Sequence, residues 1–383
     1  MNKKILYLLA FLIKGWEVSL LLVLPILQTQ GRINLFELGI LAATFSIFQI
    51  ITSLFSGHLA EKFSNKRVMT AAIFFYGLAW LVLATPISFI SLLVVCCLGG
   101  IATGSFIPLA NSQIAKIANQ NRAKEFGDFS AFSDIGRVVL VSITTFLIGN
   151  VSLFTTSLVF AVLGIISTAI LAKVTILNFK EEDSLKNLQA VRLHHLLKNK
   201  RFIFAVLTGM FDVFASASLF IFIPLLLIPK GIDISSVGFL SALFFAGYLF
   251  GRVLLGRMAD QFGDVNILVI AQIFMAVLIV CLIFINNLIL VSTILFVLGV
   301  FTRGTSPVIR AMMANAVSEK HKFDKAFSIH SFSLNTANVT SRSVYGFSAG
   351  IFGIASVFYL SALVALATLV PLYLYQRSKD QGV

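Results

Sequence analysis

Nine ionisable side chains stand in stretches otherwise fit for hydrocarbon: the cations Lys14, Arg137, Arg252, Arg303, Arg310 and Arg342, and the acids Glu17, Asp134 and Asp212. A charge at the centre of a bilayer costs about 2.5–3.5 kcal/mol on insertion scales, so such groups face one another, a solute or water rather than lipid. The cations outnumber the acids by three, and arginine pairs bidentately with carboxylate or phosphate. A carboxyl that alternates between a dry surrounding and a nearby cation takes up and releases a proton. The chemistry these residues can do is binding of a small anion and exchange of protons.

Charges of this kind need helices to hold them. The chain has 383 residues, 58% hydrophobic and 12% charged, a balance that no soluble core of this length requires. A spanning helix needs about 20 mostly apolar residues. Twelve such segments are predicted, beginning near Ile5, Leu35, Val68, Ser88, Gly127, Leu153, Phe202, Ser235, Val265, Leu288, Ala326 and Phe352. The opening "MNKKILYLLAFLIKGWEV" resembles a signal peptide in its basic start, but it lacks a small-residue cleavage site and reads as the first span. Threaded alternately from a cytoplasmic N-terminus, the loops place only Arg32 and Lys230 outside and leave the other loop cations inside, the bias of the positive-inside rule. Both termini are then expected in the cytoplasm, with the chain in the cell's inner membrane. The net charge of +13 is on this reading a topology signal and an attraction to anionic headgroups, not a nucleic-acid footprint. Cys96, Cys97 and Cys281 fall within spans without metal-ligand spacing, and no disulfide is expected.

The long polar connection at 178–201 divides the spans into a six-helix bundle at 1–177 and a second at 202–383. A constant shift of 199 residues brings Pro25 onto Pro224, Gly39 onto Gly238, Gly57 onto Gly256, Glu61 onto Asp260, Thr103 onto Thr302 and Pro108 onto Pro307. Beyond the fourth span the shift becomes 201, and Ser130 meets Ser331 and Gly149 meets Gly350. Six helices separate equivalent residues, so the copies run in the same direction through the membrane and a site is expected at their interface.

The repeat orders the charges. Ser331, Asn335, Asn338, Arg342 and Tyr345 follow at steps of 4, 3, 4 and 3 and form a polar stripe on one helical face. The shift of 201 lays that stripe onto Ser130, Asp134, Arg137, Val141 and Thr144. Arg137, Arg303, Arg342, Asn335, Asn338 and Asp134 are accordingly the candidate substrate-binding residues; the other reading of Asp134 and Arg137 is mutual neutralisation in a helix-packing interface. Glu17 and Asp212 are the candidate proton-coupling residues, with Asp134 third, and Lys14 is an obvious static partner for Glu17. Arg310 is expected to snorkel toward headgroups as readily as it binds solute, and Arg252 to latch onto a neighbouring acid. His194 and His195 read as solvated or headgroup-facing.

The loop "GHLAEKFSNKR" from Gly57 to Arg67 and its copy "GRMADQFGDVN" from Gly256 to Asn266 carry a resemblance over the whole chain. The sequence looks like a member of the major facilitator superfamily, whose G-x-L-A-D-R-x-G-R-[KR] loop is matched at Gly57, Leu59, Ala60, Glu61, Lys66 and Arg67, and again at Gly256, Ala259, Asp260 and Gly263. Glu61 replaces the usual Asp and Ser64 the second Gly. The resemblance implies an all-α membrane protein of 12 transmembrane helices in two pseudo-symmetric bundles. It implies a secondary active transporter working by alternating access, with Gly57, Glu61, Arg67, Gly256 and Asp260 as gating residues whose glycines permit close helix approach. The surplus cations suggest a small anionic solute, such as a polycarboxylate (carboxylate-type siderophores included) or a phosphorylated metabolite, with protons as coupling ion. The alternative is a proton-driven exporter of drugs or amphipaths, although the "SDIGRVVLVS" stretch at 133–142 lacks the proline of the family exporters' fifth span. A membrane sensor or enzyme is less favoured: there is no nucleotide loop, metal quartet or nucleophile elbow, and neither cofactor nor metal is expected. The protein is expected to act as a monomer.

Overall fold

The structure is a computed structural model that describes residues 3–117, 122–173, 199–317 and 323–380. The first six helices are α1 (Lys3–Thr29), α2 (Leu35–Phe63), α3 (Asn65–Leu83), α4 (Phe89–Ile117), α5 (Arg122–Asn150) and α6 (Leu153–Lys173). Then follow α7 (Lys200–Ser216), α8 (Leu219–Leu227), α9 (Ile234–Phe262), α10 (Asp264–Phe284), α11 (Leu288–Arg303) and α12 (Ser306–Ala316). The last are α13 (Phe323–Phe352), α14 (Ala355–Ala367) and α15 (Leu369–Asp380). No strand occurs among the described residues. The fold is an all-α membrane bundle, as backbone groups in lipid must be satisfied within the segment.

Among the described residues, eleven segments are long and apolar enough to cross a membrane. The remaining expected span is α13, whose 30 residues would cover about 45 Å at the α-helical rise. Its polar stripe sets it apart from the eleven apolar spans. Three spans are interrupted. The seventh is α7 plus α8, the tenth α11 plus α12, and the twelfth α14 plus α15. At the break after Ser216 the freed carbonyls find side-chain donors: Tyr345 donates to Phe214 O at 2.9 Å and Ser361 to Ala215 O at 2.6 Å. Ser218 and Ser341 share a hydrogen bond at 2.7 Å across the same junction. A discontinuous helix is tolerated at depth when its loose ends are satisfied in this way.

The described residues fall into two compact units. The first comprises Met1–Asn178, Phe220–Ala246 and Ala349–Ile351, and the second Phe179–Leu219, Gly247–Ser348 and Phe352–Val383. The predicted linker lies, apart from 199–201, outside the described residues, as do His194 and His195.

The repeat seen in the sequence recurs in backbone geometry. Ser64, between α2 and α3, has φ 76° and ψ 146°, and its copy Gly263, between α9 and α10, has φ 86° and ψ 144°. Within the first unit, methyls built on Gly100 and Gly104 would lie 2.4 Å from Phe45 O and 2.1 Å from Thr52 Oγ1, so α4 presses directly on α2. Within the second, methyls on Gly247 and Gly251 would lie 2.2 Å from Phe296 O and 2.3 Å from Val300 O. Phe48 and Gly100 become Gly247 and Gly299 under the 199 shift, and both pairs touch. Small residues at such crossings bring backbones together where lipid offers no hydrophobic drive for association.

The first unit also contains the starts of α2 and α9 and the ends of α5 and α13. A methyl on Gly238 would sit 1.5 Å from Thr145 Oγ1. Gly149 approaches Ser235, and Gly350, its copy, approaches Phe36, the copy of Ser235.

Candidate functional site

The second unit holds a buried polar cluster built on α7. Asp212 is 2% exposed. Gln272, from α10, donates its Nε2 to Asp212 Oδ1 at 2.6 Å. The Thr305 hydroxyl, in the α11–α12 break, lies 3.1 Å from Oδ1 and 3.2 Å from Oδ2. It also lies 3.0 Å from Thr302 O. One hydroxyl proton serves one acceptor at a time, so Thr305 can turn to Thr302 when Asp212 is protonated. Gln272 has a matching freedom: its Oε1 is buried without a partner, and inverting the amide would present that oxygen to a protonated Asp212. Neutral partners that can serve either charge state suit a carboxyl that gains and loses a proton. Arg303 lies within Coulombic reach of Asp212.

His330, on α13, is 3% exposed, and its Nδ1 is buried without a hydrogen-bond partner. A methyl on Gly209, one turn before Asp212, would lie 2.6 Å from the imidazole Cε1 and 3.1 Å from Ile309 Cγ2. The ring therefore sits against bare α7 backbone, beside α12. Arg310, the residue after Ile309, is in Coulombic reach of both His330 and Arg303.

The internal repeat supplies a comparison within one chain. Asp212, Gln272, Thr305 and His330 correspond to Ile13, Ile73, Phe106 and Phe129. All four counterparts are buried apolar side chains. Arg303 and Arg310 correspond to Gly104 and Asn111. The same helical frame thus carries an apolar core in one half and a polar cluster in the other. Sequence reasoning singled out Asp212, Arg303 and Arg310 but missed Gln272, Thr305 and His330. The signal was available, as polar residues standing in repeat register with buried apolar ones.

In the first unit the predicted charges close on themselves. Lys14 donates to Glu17 at 2.6 Å within α1. Arg137 donates to Asp134 within α5, where Asp134 is buried. Both pairs flank the crossing of these helices: a methyl on Gly15 would lie 2.6 Å from Gly136 O, and one on Gly136 would lie 2.1 Å from Phe11 O. Ser19 and Thr144 share a hydrogen bond at 2.9 Å along the same seam. Trp16 packs on Tyr76, whose hydroxyl bonds to Thr103.

The α13 stripe is graded. Ser331 is exposed, Asn335 and Asn338 are half-buried, and Arg342 and Tyr345 are buried. Asn338 turns its amide back to Leu334 O at 3.1 Å. The stripe's far end, anchored by Tyr345 on α7, is thus helix packing within the second unit and not an open face.

Of the expected gating residues, Arg67 and Asp260 are exposed near helix ends, while the Glu61 side chain lies outside the described residues. Gly57 and Gly256 depart from the expected close approach: a methyl on either would meet nothing within 4 Å. Tight helix contacts fall instead at Gly247 and Gly251, one to three turns earlier on the same helix as Gly256, and at Gly100 and Gly104 on α4, the partner of α2.

A family model described as Major Facilitator Superfamily matches residues 5–230 and 205–383. A relative in Methanocaldococcus jannaschii, an uncharacterised MFS-type transporter, is 26% identical over 354 residues, 91% of this chain and 90% of its own length. The quinolone resistance protein NorA of Staphylococcus aureus is 25% identical over 334 residues, 84% of each chain. Among solved structures, a substituted form of the nucleoside transporter NupG aligns with TM-score 0.79 at 14% identity, covering 98% of this chain and 99% of that one. A D-xylose–proton symporter aligns with TM-score 0.77 at 16% identity, covering 97% and 96%. At these identities the structures speak for the fold, whereas the family model spans the chain from first helix to last. With its duplicated bundle and the paired loops at Gly57 and Gly256, this chain belongs to the major facilitator superfamily of membrane transporters and is not an enzyme.

Proposed function

We propose that this transporter is a proton-coupled secondary carrier of a small solute bearing a carboxylate or phosphate, working by alternating access as a monomer. It would sit in the cytoplasmic membrane with both termini inside, as the distribution of Lys and Arg favours. The observation that carries the reading is Asp212. It is a buried carboxyl bonded to two neutral partners, within reach of Arg303, at a position where the other half of the chain has isoleucine.

The cycle follows from electrostatics. Deprotonated Asp212 attracts the Arg303 guanidinium; protonation removes that attraction and frees Arg303 for an anionic group of the solute. Proton and solute then bind together and leave together. Arg137 is held by Asp134, so Arg303 is the stronger solute contact of the two. Glu17, held by Lys14, is the weaker proton candidate. Asn335 and Asn338, half-buried on α13, are neutral positions for hydrogen bonds to the solute's remaining polar groups, and Arg342 supports them from within the bundle. Gly57, Glu61, Arg67, Gly256 and Asp260 act as latches in the two related loops.

A second reading, export of amphipathic drugs in exchange for protons, is favoured by the alignment with the quinolone resistance protein over 84% of each chain. Proteoliposomes loaded at a different internal pH separate the two. Uptake of radiolabelled citrate or phosphate that follows the proton gradient supports the anion carrier. Gradient-driven movement of ethidium with no anion flux overturns it in favour of the exporter.

A further inference from the structure

Two cations that repel one another favour an anion between them. Arg303 and Arg310 are within Coulombic reach of one another, and neither is in a salt bridge among the described residues. Asp212, in reach of Arg303, already accepts from Gln272 and Thr305. Arg303 is half-buried and Arg310 exposed, so both guanidinium groups are open to an anion, and one that binds both offsets their mutual repulsion. His330 adds a third nitrogen group within Coulombic reach of Arg310: its Nδ1 is buried beside Gly209 without a hydrogen-bond partner. A buried imidazole nitrogen left unpaired forfeits a hydrogen bond it would have had in water.

The repeat argues that this arrangement was built. Where the first half has Gly104, Asn111 and Phe129, the second has Arg303, Arg310 and His330, and where the first half has Ala10, the second has Gly209. A methyl at 209 would collide with the imidazole at 2.6 Å. The loss of a side chain on α7 and the gain of a histidine on α13 therefore go together.

We propose that Arg303, Arg310 and His330 form an oxyanion subsite on the second unit, with the imidazole donating to one oxygen of a carboxylate or phosphate and Gly209 making room for the ring. This rests on the anionic-solute reading above and adds His330 as its specificity-determining residue. A hydrogen bond to a charged group is directional, so His330 would select oxyanions over halides of equal charge.

The test uses the purified full chain in a neutral detergent and follows thermal unfolding against citrate, inorganic phosphate or chloride at matched ionic strength. The variants are His330→Phe, which installs the residue of the repeat, His330→Gln, which keeps a donor, and Arg303→Gly, also the repeat residue. The expected result is stabilisation of the wild type by citrate or phosphate but not by chloride. His330→Phe should weaken the apparent affinity roughly tenfold or more, His330→Gln should weaken it less, and Arg303→Gly should abolish it. Affinity unchanged in His330→Phe but lost in Arg303→Gly removes His330 while leaving the anionic-solute reading intact. No stabilisation of the wild type by either oxyanion overturns both. A parallel arm in nanodiscs compares phosphatidylglycerol with phosphatidylcholine: stabilisation by phosphatidylglycerol alone, with free oxyanions inert, assigns the arginines to a lipid headgroup and overturns the subsite.

Discussion

Charged residues that look alike in the sequence have different standing once their neighbours are known. Arg137 and Asp134 neutralise one another in a single turn, with Asp134 buried. Removing one member strands a charge, at a cost of about 3–5 kcal/mol for a buried pair. Arg137→Gln should therefore lower the unfolding midpoint in detergent sharply, and the double variant Asp134→Asn with Arg137→Gln should recover most of it. A double variant no more stable than the single one would show that the charge left on Asp134 is not what destabilises Arg137→Gln. Asp212 differs because its partners carry no charge, so Asp212→Asn should leave folding nearly unchanged, with Thr305 able to donate to the amide oxygen. The sequence alone could mark Asp134, Arg137, Glu17 and Asp212 as costly residues. It could not say which were paired, because a three-residue spacing permits an ion pair without requiring one.

At the scale of elements, the junction between α2 and α3 is the sharpest case. Ser64 adopts a backbone conformation suited to glycine, and its repeat Gly263 adopts the same one. Such a conformation costs a residue with a side chain about 1–3 kcal/mol. Ser64→Gly should raise stability by about that amount, and Gly263→Ser should lower it comparably, both read from unfolding midpoints; changes of the same sign at the two sites would contradict the equivalence of the loops. The α1–α5 seam offers a second case. Gly136→Ala drives a methyl to 2.1 Å from Phe11 O, so it should sharply reduce the yield of folded protein, whereas Gly57→Ala, with nothing within 4 Å, should fold normally. The spans were legible because hydrophobic runs of membrane length are hard to mistake. The breaks in the seventh and tenth spans were not, since a break depends on distant donors such as Tyr345 and Ser361 satisfying the loose carbonyls. The close-packing glycines were misjudged for a related reason: the loop motif drew attention to Gly57 and Gly256, while contact depends on where helices cross.

For the whole molecule, the duplication was readable from the constant offset of prolines and glycines, and the structure repeats it in backbone angles and helix crossings. What the offset also contained, and what identity-based matching passes over, is the set of positions where the halves disagree. Ile13, Ile73, Phe106 and Phe129 against Asp212, Gln272, Thr305 and His330 mark a change from packing to chemistry within one frame. On this account the second unit carries the coupling proton, and the charges of the first unit tie α1 to α5. The most direct test compares Asp212→Asn with Glu17→Gln in proteoliposomes, measuring for each the uptake of radiolabelled citrate or phosphate driven by a proton gradient and the gradient-free exchange of the same solute. Asp212→Asn should lose gradient-driven uptake and retain exchange, with Glu17→Gln retaining both; gradient-driven uptake that survives Asp212→Asn and disappears in Glu17→Gln would place the proton in the first unit and contradict the account.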